Sequence, residues 1–229
     1  MPFGQHPGGR LLGTRHTHHL PMTLWRVHAR RPWLLPALAA TFVVLAVLAR
    51  FDALPWDGPI TEAVVGARGP TLDRIARRVS FLGSTRVVFL VSGTVALIAW
   101  PRSPRLAIAI VVIALARPLT EFVIKEIVGR ERPVGDRLVR GRGPSFPSGH
   151  PFAAAASWGT LPLLVPLYSH SRRVWWVVAI LAWTIIVMVG IARVYLGVHW
   201  ATDVVAGVIL AILGVAFVER VLRIEHRPA

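Results

Sequence analysis

Apolar residues run along the chain in long blocks, separated by short polar or basic breaks. The blocks are Trp33 to Ala49, Val87 to Trp100, Leu106 to Ile124, Pro151 to Tyr168, Val174 to Ala192 and His199 to about Val218. Each approaches the roughly 20 residues a helix needs to cross a bilayer core of about 30 Å. The pattern predicts an all-α fold: a polytopic membrane helical bundle of six transmembrane helices. Between the first two blocks, Phe51 to about Ser80 is mixed. Ile60, Val64, Val65, Leu72, Ile75, Ala76 and Val79 alternate with Arg68, Asp73, Arg74, Arg77 and Arg78. That spacing predicts a short amphipathic segment of one or two helices lying at the interface. The second block is short and must borrow from Phe81 to Arg86 or sit in a thinned bilayer.

The breaks complete the plan. Residues 1–31 carry five arginines and no acid, with frequent Gly, Pro and His, and are expected to form a disordered basic tail. Residues 32–222 form one six-span domain, and residues 223–229 a charged C-terminal tail. His16, His18 and His19 have no acidic partner in the tail, so no metal site is expected there. The first block reads as an uncleaved span, because no clear cleavage site follows it.

Composition agrees with a membrane protein. The chain of 229 residues is 54% hydrophobic, with a mean hydropathy of +0.58. Cysteine is absent, which excludes disulfides and thiolate metal sites. The net charge of +15 suits anionic lipids and anionic substrates. Its basic residues flank apolar runs and build no soluble basic domain, so nucleic acid is not an expected partner.

Six spans put both termini on one side. The basic tail, Arg102 with Arg105, and Arg172 with Arg173 then share that side, which is cytoplasmic by the positive-inside rule. The basic loop from Lys125 to Phe146, holding Arg130, Arg132, Arg137, Arg140 and Arg142, falls on the outer side against the rule. Arginines kept on the unfavourable side point to use. In the third span, Arg117 and Glu121 are four residues apart and are expected to form a structural ion pair facing the bundle.

Three clusters carry candidate chemistry, and this topology turns all of them to the outer side. The first is Lys125 with Arg132-Pro133. The second is Pro147-Ser148-Gly149-His150. Pro147 can start a helix, because its missing N–H would be unsatisfied there anyway. Ser148 and Gly149 would then offer first-turn N–H groups to an anion, and Gly149 has no side chain to keep it away. His150 adds a group titrating near neutrality. The third cluster is Arg193, His199 and Asp203. On a helix His199 and Asp203 share a face, so Asp203 can hold one ring nitrogen and leave the other nucleophilic. Lys125, Arg132 and Arg193 supply the positive charge a transferring phosphoryl group needs.

Together, in this order, the clusters resemble the three-part signature of the type-2 phosphatidic acid phosphatase superfamily, the membrane lipid phosphate phosphatases. That superfamily shares its core with bacterial non-specific acid phosphatases and vanadium haloperoxidases. One departure is visible: the third motif usually begins Ser-Arg, and here Ala192 precedes Arg193. The resemblance implies that His199 attacks phosphorus and forms a phosphohistidine, with Asp203 orienting it. His150 would protonate the leaving oxygen and then serve as base for water. Lys125, Arg132, Ser148, Gly149 and Arg193 would hold the phosphoryl oxygens. No metal and no cofactor would be needed. The implied substrate is a lipid phosphate or pyrophosphate in the outer leaflet, of the undecaprenyl pyrophosphate, phosphatidylglycerol phosphate or phosphatidic acid type. A lipid or sugar phosphotransferase on the same site, or an inactive lipid-binding relative, are the alternatives.

Overall fold

A computed structural model describes residues 32–224. The expectations for the basic tail, including its three histidines, and for residues 225–229 lie outside the described residues. Within them the secondary structure is helical throughout: α1 (Leu34–Arg50), α2 (Asp57–Gly66), α3 (Pro70–Phe81), α4 (Thr85–Ala99), α5 (Pro104–Val128), α6 (Gly149–Trp158), α7 (Leu161–Tyr168), α8 (Arg172–Tyr195) and α9 (Ala201–Ile224).

Local chemistry sets several of these boundaries. Ser103 caps α5 by accepting from the Leu106 N–H at 3.4 Å, and Pro104 opens the helix. Gly129 closes it with a left-handed φ of 63°. Ser171 caps α8 in the same way, accepting from the Val174 N–H at 3.3 Å. In α3, Ala76 and Ser80 are buried while Arg74, Arg77 and Arg78 are exposed, which is the amphipathic face the spacing predicts.

Helix α6 lies at the centre, packed by α4, α5, α8 and α9. Its run Ala153, Ala154, Ala155 and Ala156 is buried, and small side chains let neighbouring backbones approach closely. Phe152, Ile186, Val189, Ala211 and Val215 fill the space around it. The outward faces are apolar instead of polar. Leu115, Leu119 and Phe122 on α5 are exposed, as are Ile180 and Leu181 on α8. A water-facing surface rarely carries apolar patches of this extent, whereas acyl chains match them.

Among the described residues, two helices are long and apolar enough to cross a membrane, α5 and α8. The count becomes three if α3 and α4, which meet at a 46° bend, act as one span. Helix α1 and the stretch Ala201–Phe217 of α9 are apolar but shorter.

The amphipathic stretch forms two helices, α2 and α3, within the one or two its spacing predicts. Several other boundaries differ from the sequence reading. The block from Pro151 to Tyr168 is broken into α6 and α7 at Gly159 and Thr160, where the Thr160 hydroxyl donates to the Ser157 carbonyl at 2.6 Å. Lys125 is not in the basic loop. It stands in the last turn of α5, because the helix continues to Val128 before Gly129 ends it. Pro147 does not open α6. It follows a cis peptide bond from Phe146, and the helix begins two residues later, with Ser148 as its N-cap.

Candidate active site

The chain direction alternates so that the C-terminal ends of α5 and α8 and the N-terminal ends of α6 and α9 meet at one end of the bundle. Lys125 and Arg193 come from the first pair, and Ser148, Gly149, His150 and Asp203 from the second. His199 sits in the turn between α8 and α9, and Arg132 in the segment between α5 and α6. All eight residues singled out in the sequence therefore converge here.

His199 precedes α9, so it does not share a helical face with Asp203 as the spacing had implied. Trp200 occupies the cap position, and Asp203, three residues on, reaches back to accept its N–H at 3.0 Å. The same carboxylate oxygen, Oδ2, stands 3.4 Å from His199 Nδ1. The Nδ1 atom is buried with no closer partner, so this contact orients the ring more than it bonds it. On the other side, Arg132 Nη1 approaches His199 Nε2 at 3.2 Å. A guanidinium can only donate, so Nε2 must carry the lone pair and Nδ1 the proton. His199 is 3% exposed. Burial, and then the charges of Arg193, Arg132 and Lys125, hold its pKa well below the ordinary imidazole value. The ring is thus neutral, with its basic nitrogen turned away from Asp203.

The turn that carries His199 depends on Gly197. Its φ is +73°, and a Cβ there would lie 2.6 Å from Arg68 Nη2 and 2.9 Å from the Asp136 carbonyl. Arg68 in turn donates to the Tyr195 carbonyl at 2.9 and 3.1 Å, closing the end of α8.

Arg132 is more tightly bound than a free anion ligand. Its Nε donates to Gly143 at 2.9 Å, Nη1 to Val198 at 2.5 Å, and Nη2 to Arg142 at 2.9 Å and Pro144 at 3.2 Å, all carbonyls. With the His199 contact, each of its five donor positions is engaged. Arg193 is buried and donates to the Ser80 hydroxyl at 2.8 Å, while its Nε has no partner. The Ser148 hydroxyl is buried without a partner as well. The Ser148 N–H, expected to be free, donates instead to the Asp203 carbonyl at 2.9 Å and ties α6 to α9. A cavity of about 340 Å³ opens beside these groups, lined by Arg117, Glu121, Phe122, Lys125, Gly149 and His150.

Three residues of this assembly were not singled out for the site from the sequence. Arg130 donates to Asp203 Oδ1 and to the Thr202 hydroxyl, both at 2.9 Å, and to Asp57 Oδ2 at 2.8 Å. Asp57 Oδ1 also accepts the Thr202 N–H at 3.1 Å, and its Oδ2 accepts the Thr202 hydroxyl. Asp57 and Asp203 are almost fully buried, so each carboxylate needs this pairing. Asp57 lies on α2, far away in sequence, and no local pattern pairs it with Arg130. The only local signal was the surplus of arginine in the segment after α5.

Fold and cluster together define an all-helical membrane protein with a cationic, histidine-bearing pocket at one end of its bundle. Comparison with known proteins agrees. The PAP2 superfamily model matches residues 105–226. Phosphatidylglycerophosphatase B of Bacillus subtilis (strain 168) is 31% identical over 182 residues, which cover 75% of this chain and 86% of the relative. The crystal structure of the first transmembrane PAP2 type phosphatidylglycerolphosphate phosphatase from Bacillus subtilis superposes with a TM-score of 0.77 at 28% identity, over 85% of this chain and 98% of that one. The crystal structure of Aquifex aeolicus LpxE shares the fold, with a TM-score of 0.57 at 18% identity over 72% of this chain and 95% of the other. The chain belongs to the PAP2 superfamily, the type-2 phosphatidic acid phosphatases of membranes.

Proposed function

We propose that this protein is an integral-membrane phosphatase that hydrolyses a lipid phosphate through a phosphohistidine on His199, without a metal ion. The observation that carries the reading is the placement of His199, whose Nε2 faces Arg132 while its Nδ1 faces Asp203, the arrangement that leaves the lone pair on Nε2. In the proposed reaction a phosphoryl oxygen takes over the Arg132 Nη1 donor, and Nε2 is released to attack phosphorus in line. The N–P bond forms as the bond to the lipid oxygen breaks. His150 gives its proton to that oxygen, and Asp203 balances the charge that grows on the imidazole ring. Water, deprotonated by His150, then cleaves the N–P bond and frees phosphate. Lys125, Arg132 and Arg193 neutralise the phosphoryl oxygens, and the Ser148 hydroxyl and Gly149 N–H donate to them. These fixed cations supply the charge stabilisation that a metal would otherwise give.

Among candidate substrates, phosphatidylglycerol phosphate ranks first, since the curated relative carries that activity in its name. Phosphatidic acid and undecaprenyl pyrophosphate follow. The proposed topology has six spans: α1, α4, α5, the broken pair α6–α7, α8 and α9, with α2 and α3 at the outer interface. Both termini would be cytoplasmic and the site extracytoplasmic. A thiol introduced at Arg137 is then labelled by an impermeant reagent from outside, and one at Arg172 is not.

Phosphate release from the three lipids and a soluble phosphomonoester, in detergent with chelator present, tests the activity. The reading predicts release with chelator and a preference for phosphatidylglycerol phosphate. Folded protein that releases no phosphate from any of them, or does so only with added metal, contradicts it.

A further inference from the structure

Glu121 lies where the sequence alone would have put an anion. A Cβ built on Gly149 would fall 2.1 Å from Glu121 Oε1 and 2.4 Å from Oε2, so the bare face of Gly149 is covered by this carboxylate. Oε1 also pairs with Lys125 Nζ at 2.9 Å. Lys125, one of the groups assigned above to the phosphoryl oxygens, therefore meets Glu121 first, and the same carboxylate lies against the Cα of Gly149. Its other oxygen, Oε2, accepts from Arg117 Nη1 at 2.8 Å, one turn back toward the start of α5. Arg117 is buried, and its Nε has no partner. The guanidinium fork thus keeps a donor in reserve, and a fork can hold both oxygens of one carboxylate at once.

We propose that Glu121 is an internal competitor for the phosphate cradle and moves between two positions. In one it bridges Lys125 and Arg117 across Gly149. In the other it withdraws onto the Arg117 fork, leaving Lys125 and the start of α6 to a phosphoryl group. No bond is made or broken, and the exchange is one anion for another on the same cation. The consequence is specific to this reaction. A site with three or more cations would retain its product, inorganic phosphate, and a returning carboxylate helps expel it. This inference rests on the phosphatase reading for its setting, but phosphate binding can be measured without turnover.

The opposite role is a static tie, in which Glu121 merely holds Lys125 in place for phosphate. The two roles give opposite signs. Binding of inorganic phosphate to the full chain in detergent, by titration calorimetry, is compared for the parent, Glu121→Gln, Arg117→Gln and the double variant. The same proteins are compared for competitive inhibition by phosphate. A competitor predicts that Glu121→Gln binds phosphate about tenfold more tightly, the worth of one charge-assisted contact. Arg117→Gln removes the resting place, keeps Glu121 on Lys125 and weakens phosphate binding. The double variant follows Glu121→Gln, because without the carboxylate Arg117 has nothing to withdraw. Glu121→Met, which keeps the length and removes the charge, repeats the test should the amide misfold. Weaker or unchanged phosphate binding in the Glu121 variants overturns the proposal. So does loss of the folded state in both, which would make the carboxylate a structural tie. Tighter phosphate binding in a protein that hydrolyses no lipid would uphold the competitor and reject the phosphatase reading.

Discussion

Arg130 holds Asp203 through a bond of 2.9 Å from Nη1 to Oδ1, while the second oxygen of the same carboxylate faces His199. The position of the candidate nucleophile is thereby linked to Asp57 on α2, which grips the other arm of Arg130. A segment that reads as a surface decoration in the sequence is thus built into the site from behind.

That linkage predicts the behaviour of Arg130→Lys and Asp57→Asn. A lysine keeps the charge but cannot serve three acceptors in one plane, so kcat should fall by about 100-fold with little change in KM. Asp57→Asn leaves Arg130 paired with Asp203 alone and removes one charge-assisted contact, which costs about 1.5–3 kcal/mol. Thermal unfolding in detergent and steady-state kinetics report the two effects separately. A rise in KM at constant kcat would contradict the positioning role.

Ser148→Ala separates binding from folding. The hydroxyl is buried and bonded to nothing in the protein, so removing it should shift stability by no more than about 0.5 kcal/mol. If it donates to a phosphoryl oxygen, kcat/KM drops by about 10- to 100-fold. A variant with unchanged kcat/KM would show that the hydroxyl has no such role.

Gly197→Ala should be damaging in a place that touches no substrate. The left-handed φ costs a side chain about 1–2 kcal/mol, and the added methyl meets Arg68 and the Asp136 carbonyl. His199 lies two residues on, so activity should be lost together with stability. An alanine variant of parental melting temperature and activity would refute this account of the turn.

Acid sensitivity follows from the buried imidazole. The His199 pKa in the folded state lies well below its ordinary value of 6.5. Below pH 6.5 the unfolded chain therefore takes up a proton that the folded chain refuses. Stability is full above that pH and is lost as pH falls further, by up to about 1.4 kcal/mol per unit. Burial first, and then the charges of Arg193, Arg132 and Lys125, sustain the shift, and Asp203 faces the ring from α9. Melting curves from pH 7.5 down to about 5 should fall less steeply for His199→Gln than for the parent. Equal slopes would mean that another group sets the acid limb.

How much of this the sequence discloses depends on the distance over which each feature is specified. The helical character of α5 and α8 is local, carried by long apolar runs with a capping Ser at each start and Pro104 after it in α5, and it is legible. The membership of the polar cluster is legible too, because Lys125, Ser148, Arg193 and His199 each stand at a block end, and block ends of one parity must meet. The bonding inside the cluster is not. That Arg132 spends four donors on carbonyls of its own neighbourhood and of Val198 depends on how residues 142–144 fold back. The pairing of Arg130 with Asp57 spans 73 residues. The expectation that Pro147 opens α6 rested on a sound local rule, yet Ser148 takes the cap because its N–H is drawn to the Asp203 carbonyl. Arg117 and Glu121 were readable as an ion pair, but nothing local shows that the same carboxylate covers Gly149.

The most direct test of the account is to trap the covalent species. Brief incubation of the protein with lipid labelled in its phosphoryl group, followed by rapid denaturation, should leave label on the chain that survives alkali and is lost in acid. Peptide mapping should locate it on His199, and His199→Ala should neither take up label nor release phosphate. Turnover with label on another residue, or phosphate release that persists in His199→Ala, would contradict the central claim.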